Sequence, residues 1–204
     1  GLLRRLRDSL ENDWPHRIEI VEHSHAALAH AYEAGASRLP FAVLRGYVGT
    51  DFAAVNPEIR SVTCPFTGEE LAAVPAINPD ITFIHALKAD RAGNVLIEGI
   101  TGVQKEAVLA AGKAVVTVEE TVDSLDPHPN ALVLPHWVVT AIAEVPGGAH
   151  PSYAHGYYPR DNATYRAWDA ISADRTRFLD WMKTHVIDED ARVFATRVAK
   201  LTDG

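Results

Sequence analysis

Apolar residues recur at helical spacing at the start of the chain, where Leu2, Leu3, Leu6, Leu10 and Trp14 share a face and Pro15 ends the run. The pattern then changes several times. Arg17–Glu22 is a short β-branched run that predicts a strand, and Ser24 stands ready to cap an Ala-rich helix reaching Gly35. Pro40–Arg45 predicts a second strand, closed by the Gly-rich turn Gly46–Asp51. Val62–Thr63 and Leu71–Val74 predict short strands on either side of Cys64–Glu69. Asp80–Ala86 predicts a further strand, and Asp90–Asn94 a turn into Val95–Glu98. Thr101 and Gln104 have the spacing of a capping box, predicting a helix from Thr101 to near Gly112. Ala114–Glu119 has the continuous apolar character of a buried parallel strand. Leu132–Leu134 and Ala141–Val145 continue the strand series around a short helix after Pro135. From Asp161 the chain is helical, with Trp168, Ile171, Phe178, Trp181 and Met182 on one side.

Strands alternating with helices predict an α/β fold: an open, mainly parallel twisted sheet with flanking helices. Residues 147–162, with two Pro, three Gly and three Tyr, form the long aperiodic stretch, and loops of that length carry function or contacts. Composition narrows the field. Nineteen basic residues stand against 27 acidic ones, net −8, so the chain lacks the basic face a nucleic-acid binder needs. No apolar run approaches the length of a membrane span. The single Cys64 excludes an internal disulfide and fits a cytoplasmic protein.

The candidate chemistry follows the predicted strands. Ser24 and His25 come after the first, Gly46 and Tyr47 after the second, and His85 ends the third. Glu119 and Glu120 follow the fourth, and Gly148 and His150 the fifth. In open parallel sheets ligands bind beyond the carboxyl ends of the strands, so these residues predict a pocket at one edge. His23 and His25 are two apart, which on a strand turns them to opposite faces, and no metal site is expected. Ser24 lacks the Gly-x-Ser-x-Gly elbow of a hydrolase and is expected to cap its helix. Cys64 has no neighbouring cation in sequence and is expected to pack as a small apolar residue. Glu119 and Glu120 fit two roles equally, a general base or acyl acceptor, and the opening of the next helix.

Leu39–Gly46, Ser61–Glu69, Asp90–Asn94, Val116–Glu120, Pro146–Ser152 and Tyr153–Asn162 together resemble the alpha subunits of class I coenzyme A transferases. The resemblance is nearer to the subunits that serve 3-oxoadipate than to those that serve glutaconate. It implies the CoA-transferase (NagB-like) fold, a single domain over residues 1–204, and a beta-type partner subunit. The family's Gly-rich N-terminal loop has no counterpart, so a preceding segment is expected and the domain is expected to be N-terminally incomplete. The family's nucleophile is a glutamate on the beta subunit, and its Ser-Glu-Asn-Gly motif is absent here. No catalytic residue is therefore expected in this chain.

The expected substrates are an acyl-CoA and a carboxylic acid, with CoA as substrate and no cofactor. The substrate pocket is expected to include Ser24, His25, Gly46, Tyr47, Glu119, Gly148 and His150. A CoA-thioester or ring-cleaving hydrolase of the same fold is the alternative, and a non-enzymatic interaction subunit is a third reading.

Overall fold

The computed structural model describes residues 3–190 and 193–194. In chain order the elements are α1 (Arg4–Asn12), α2 (His25–Ala36), β1 (Phe41–Leu44), α3 (Phe52–Val55), β2 (Arg60–Thr63), β3 (Glu70–Pro75), β4 (Ile81–Asp90), β5 (Val95–Ile97), α4 (Gln104–Ala110), β6 (Lys113–Val122), β7 (Leu132–Leu134), β8 (Ala141–Glu144), α5 (Asn162–Ala173) and α6 (Arg175–Met182). A 3-10 turn follows β7 at His136–Val138, and a π turn extends α6 over Lys183–Ile187. The chain divides into two compact units, Val21–Ala143 and Gly1–Ile20 with Glu144–Gly204.

The first unit carries both sheets. One has the order β1-β3-β2 and is antiparallel throughout. The other has the order β7-β5-β4-β6-β8, with β4 and β6 parallel and β5 antiparallel to both β4 and β7. The α/β class and the open sheets are as expected. The expectation of mainly parallel pairing is not met, because one sheet is antiparallel and the other is mixed. The chain between β4 and β5 is the tight turn Asp90–Asn94, and a turn that short can only reverse direction. Asp90 closes it by accepting from the Asn94 backbone N–H and side-chain amide, both at 2.9 Å. Those donors hold the Asp90 carboxyl below its ordinary range.

Strand periodicity decides which β6 residues are buried. Ala114, Val116 and Val118 point into the main core with Ala86, Val95, Ile97, Val108 and Leu134. Thr82, on the same face of β4 as Ala86, donates its hydroxyl to the Ala107 carbonyl at 2.9 Å and ties α4 to the sheet. A second core gathers Ala27, Ala31, Tyr47, Ile59, Ala72 and Val74 beneath α2.

Three local expectations are corrected. Residues 17–22 form no strand and pair with neither sheet. The Thr101–Gln104 capping box does not form. Gly102 takes φ +53°, the backbone is diverted, and α4 begins only at Gln104 with Val103 ahead of it and no side-chain cap. The Gln104 side-chain oxygen, which in a capping box would accept from the Thr101 N–H, is buried without a partner among the described residues. β4 and β6 are also longer than predicted, each running ten residues.

The second unit is helical. Asp8 of α1 accepts two hydrogen bonds from the Arg175 guanidinium, at 2.6 and 2.8 Å. That fork, with the Asn12 amide and the Arg5 charge, pushes the Asp8 carboxyl down to about 2. Trp168 meets Phe178 and Trp181 edge to face at 6.1 and 5.0 Å, so the apolar stripe predicted from Asp161 onward is the seam of this unit.

Candidate functional site

The best-built polar region of the first unit surrounds the start of α2. Ser24 caps the helix in an extended conformation, its Oγ accepting from the Ala27 N–H at 3.1 Å. The Ser24 N–H donates to the Tyr47 hydroxyl at 2.6 Å. Tyr47 is only 4% exposed, and its ring stacks on Phe52 at 5.1 Å and on His23 at 6.5 Å. The structure therefore brings Ser24 and Tyr47 together across 23 residues. Gly46 lies beside Tyr47 in the exposed turn after β1, and His25 is exposed as the first residue of α2.

Asn56 completes the anchor, and sequence reasoning missed it. Its amide donates to the Glu22 carbonyl at 2.8 Å and lies 3.3 Å from His23 Nε2, while its oxygen accepts from the Glu58 N–H at 2.9 Å. The readable signal was Asn56-Pro57, a turn-initiating pair that places a short amide beside the chain. With the amide as donor, the His23 ring proton falls on Nδ1, and that atom is buried without a partner among the described residues. His23 is thus a packed neighbour of Tyr47, with the Glu58 carboxylate 3.6 Å from Nε2.

The stretch Glu22–Ser24 before α2 is held by Tyr47 and Asn56 rather than by a sheet. The N–H groups of His25 and Ala26 make no hydrogen bond among the described residues. Two free donors at the positive end of a twelve-residue helix can receive an oxyanion or a carboxylate.

Glu119 and Glu120 do not follow a strand or open a helix, because both lie within β6. Glu119 is buried, its side chain 2% exposed, and its Oε1 lies 2.7 Å from His85 Nε2. His85 Nδ1 lies 2.9 Å from the Thr117 hydroxyl, which also donates to the Ile84 carbonyl at 3.4 Å. These three side chains share the face of the sheet opposite the main core, since Thr117 and Glu119 alternate with buried Val116 and Val118. His85 sits mid-strand rather than at a strand end, which corrects its expected place. Glu120 points the other way and pairs with Lys88 at 3.2 Å.

Gly148 and His150 belong to the helical unit, in the turns after β8. Gly148 is exposed, its N–H donating to the Val145 carbonyl at 3.0 Å. His150 is largely buried, with Nε2 3.1 Å from Asp161 Oδ2.

Cys64 lies just after β2. It sits half-buried in the β2–β3 turn, where the Thr67 hydroxyl and the N–H groups of Phe66 and Thr67 donate to the sulfur and lower its pKa. Arg45 stands nearby but is held by Glu69 in a two-point ion pair at 2.7 and 2.8 Å. Among the described residues no group of three His, Cys, Asp or Glu is placed to hold a metal ion. No helix among them is long and apolar enough to cross a membrane.

Mixed open sheets with flanking helices, and polar residues gathered at the start of a helix, define a class as well as a shape. The family model for coenzyme A transferase matches residues 12–145, and the chain belongs to that family. It is 57% identical over 204 residues to the A subunit of the 3-oxoadipate CoA-transferase of Pseudomonas knackmussii, a match covering 100% of this chain and 72% of that protein. It is 30% identical over 174 residues to the A subunit of the glutaconate CoA-transferase of Acidaminococcus fermentans, covering 78% of this chain and 54% of that one. The crystal structure of glutaconate coenzyme A-transferase from the same organism superposes with a TM-score of 0.85 at 24% identity, over 97% of this chain and 68% of that one. That likeness shows the fold.

Proposed function

We propose that this chain is the alpha-type subunit of a cytoplasmic 3-oxoadipate-type CoA-transferase and works with a beta-type subunit that carries the nucleophile. The observation that carries this reading is the 57% identity, over all 204 residues, to a protein named as the A subunit of such an enzyme. The partner's glutamate attacks the acyl-CoA carbonyl and expels CoA thiolate, leaving a mixed anhydride. The thiolate then attacks the glutamyl carbonyl, and the first acid departs as its carboxylate. The acceptor acid reverses both steps on the resulting glutamyl-CoA thioester. No bound cofactor is needed, because the net reaction exchanges one thioester for another with no change of oxidation state.

In this reading the start of α2 supplies donors to the charge that develops on oxygen. The free N–H groups of His25 and Ala26 are held in place by the Ser24 cap and the Tyr47 hydroxyl, and preorganised donors of this kind lower the barrier most effectively. Glu119 is a poor candidate nucleophile, being buried and held against His85. Its geometry supports a nucleophile supplied by the partner.

The test is co-expression with a beta-type partner, followed by assay with succinyl-CoA and 3-oxoadipate. Parallel double-reciprocal lines are expected, because the first acid leaves before the second binds. Incubation with acyl-CoA alone is expected to leave a hydroxylamine-sensitive CoA adduct on the partner and none on this chain. Release of CoA to water at full rate without an acceptor acid would establish a hydrolase instead. An adduct on this chain would overturn the assignment of the nucleophile.

A further inference from the structure

The helical unit holds a half-open cavity of about 530 Å³, within the range of small-molecule sites. Its walls are laid down by helix periodicity. Thr164, Ala167, Trp168 and Ile171 form one stripe of α5, and Trp181, one turn before His185, faces them from α6. Val186 and Phe194 complete the apolar lining. His185 is exposed and tilted against Trp181 at 5.3 Å, so it forms part of the rim.

The buried polar group at this cavity is His150, whose side chain is 5% exposed. Its protonation pattern is dictated by Asp161, the cap of α5. Asp161 Oδ1 accepts from the Ala163 and Thr164 N–H groups, both at 3.0 Å. Oδ2 accepts from the Thr164 hydroxyl at 2.6 Å and from His150 Nε2 at 3.1 Å. The Thr164 hydroxyl and N–H, and then His150, hold this carboxyl well below the usual carboxylate range. An ionised carboxylate only accepts, so the ring proton lies on Nε2. Nδ1 of the neutral ring then carries a lone pair, and it makes no hydrogen bond among the described residues.

We propose that this cavity is a binding site for a hydroxylated aromatic molecule, its ring between Trp168, Trp181 and Phe194 and its hydroxyl donating to His150 Nδ1. The alternatives fail on the same groups. A purely apolar ligand leaves the imidazole lone pair buried and unsatisfied. A carboxylate meets that lone pair and the fixed negative charge of Asp161 behind it. All of the lining residues belong to the helical unit.

Calorimetric titration of the 204-residue chain with three probes of one shape tests the proposal. 2-Naphthol carries the donor, 2-methylnaphthalene replaces it with a methyl group, and 2-naphthoate replaces it with a charge. One-to-one binding of 2-naphthol is expected, with each of the other two weaker by about tenfold or more, the worth of one satisfied buried hydrogen bond. Ala167→Trp, a change at an exposed position of α5 that fills the cavity, is expected to abolish binding while leaving the helical circular dichroism intact. His150→Phe is expected to erase the preference for naphthol over methylnaphthalene. Absence of saturable naphthol binding overturns the site. Equal or tighter binding of methylnaphthalene or naphthoate overturns the role of His150, and binding that survives Ala167→Trp overturns the location.

Discussion

Gly35 offers the sharpest conflict between local preference and tertiary packing. In an isolated helix, replacing a glycine by alanine stabilises by about 1 kcal/mol. Here a Cβ at position 35 would lie 2.1 Å from the Ile77 carbonyl oxygen and 3.1 Å from both Ala110 Cβ and Asn78 Oδ1. The first contact is 1.3 Å short of the 3.4 Å at which ordinary contact begins, and the obstacle is backbone rather than a side chain that can swing away. Relief requires α2 and the chain at Ile77 to separate, yet the Ile77 N–H donates to the Ala31 carbonyl of α2 at 3.0 Å. Overpacking costs about 1–3 kcal/mol and the stranded N–H a further ~1–3 kcal/mol. After the gain in propensity is subtracted, Gly35→Ala is expected to destabilise by about 3 kcal/mol, within a range of about 1–5 kcal/mol. Urea denaturation followed by circular dichroism checks this, with a midpoint lowered by about 1–2 M. Gly46→Ala is the control, since the nearest atom to its Cβ is Leu44 Cδ1 at 4.0 Å, and a change within about 0.5 kcal/mol is expected there. A Gly35→Ala chain as stable as the parent, or more so, would refute the close approach of α2 to Ile77.

The Asp8 carboxyl, pushed from 3.8 to about 2 chiefly by the Arg175 guanidinium, is lower in the folded chain than in the unfolded one. Its contribution is complete above about pH 4 and disappears as the pH falls toward about 2, so Asp8→Asn is expected to remove that acid-sensitive component in denaturation profiles from about pH 2 to 6. Glu119→Ala leaves His85 Nε2 without its buried acceptor and is expected to cost about 1–3 kcal/mol in the same urea assay, whereas Glu119→Gln, which keeps an oxygen in place, costs less. His25→Pro, which removes the free N–H at the first position of α2 where proline is tolerated, is expected to leave the melting curve nearly unchanged and to lower kcat of the assembled enzyme by about 10²-fold. An unchanged kcat removes His25 from the site.

Much of this molecule is written in local pattern. The cap at Ser24, the strands at Phe41 and Glu70, the Asp90–Asn94 turn and the alternating burial of Ala114, Val116 and Val118 each depend on a few adjacent residues, and such signals survive without a partner. The long, ordered resemblance to CoA-transferases is likewise a property of the sequence alone. What escaped it depends on meetings across the chain. Residues 17–22 have strand-like composition, but a strand needs a neighbouring edge, and the fold offers none there. The positive φ of Gly102 undoes a well-spaced capping box, because side-chain spacing does not reveal backbone conformation. His85 looks like a strand end when its strand is read only to Ala86; the parallel register that sets it opposite Thr117 shows it facing Glu119 inside the sheet. Tyr47 and Asn56 are turn residues in one dimension and become the anchors of Ser24 and His23 in three. The sequence by itself determined which residues cap, turn and alternate, since those preferences are short-range. Tertiary structure alone decided which buried polar groups meet, because a hydrogen bond between residues 23 or 34 positions apart exists only after the chain between them has folded.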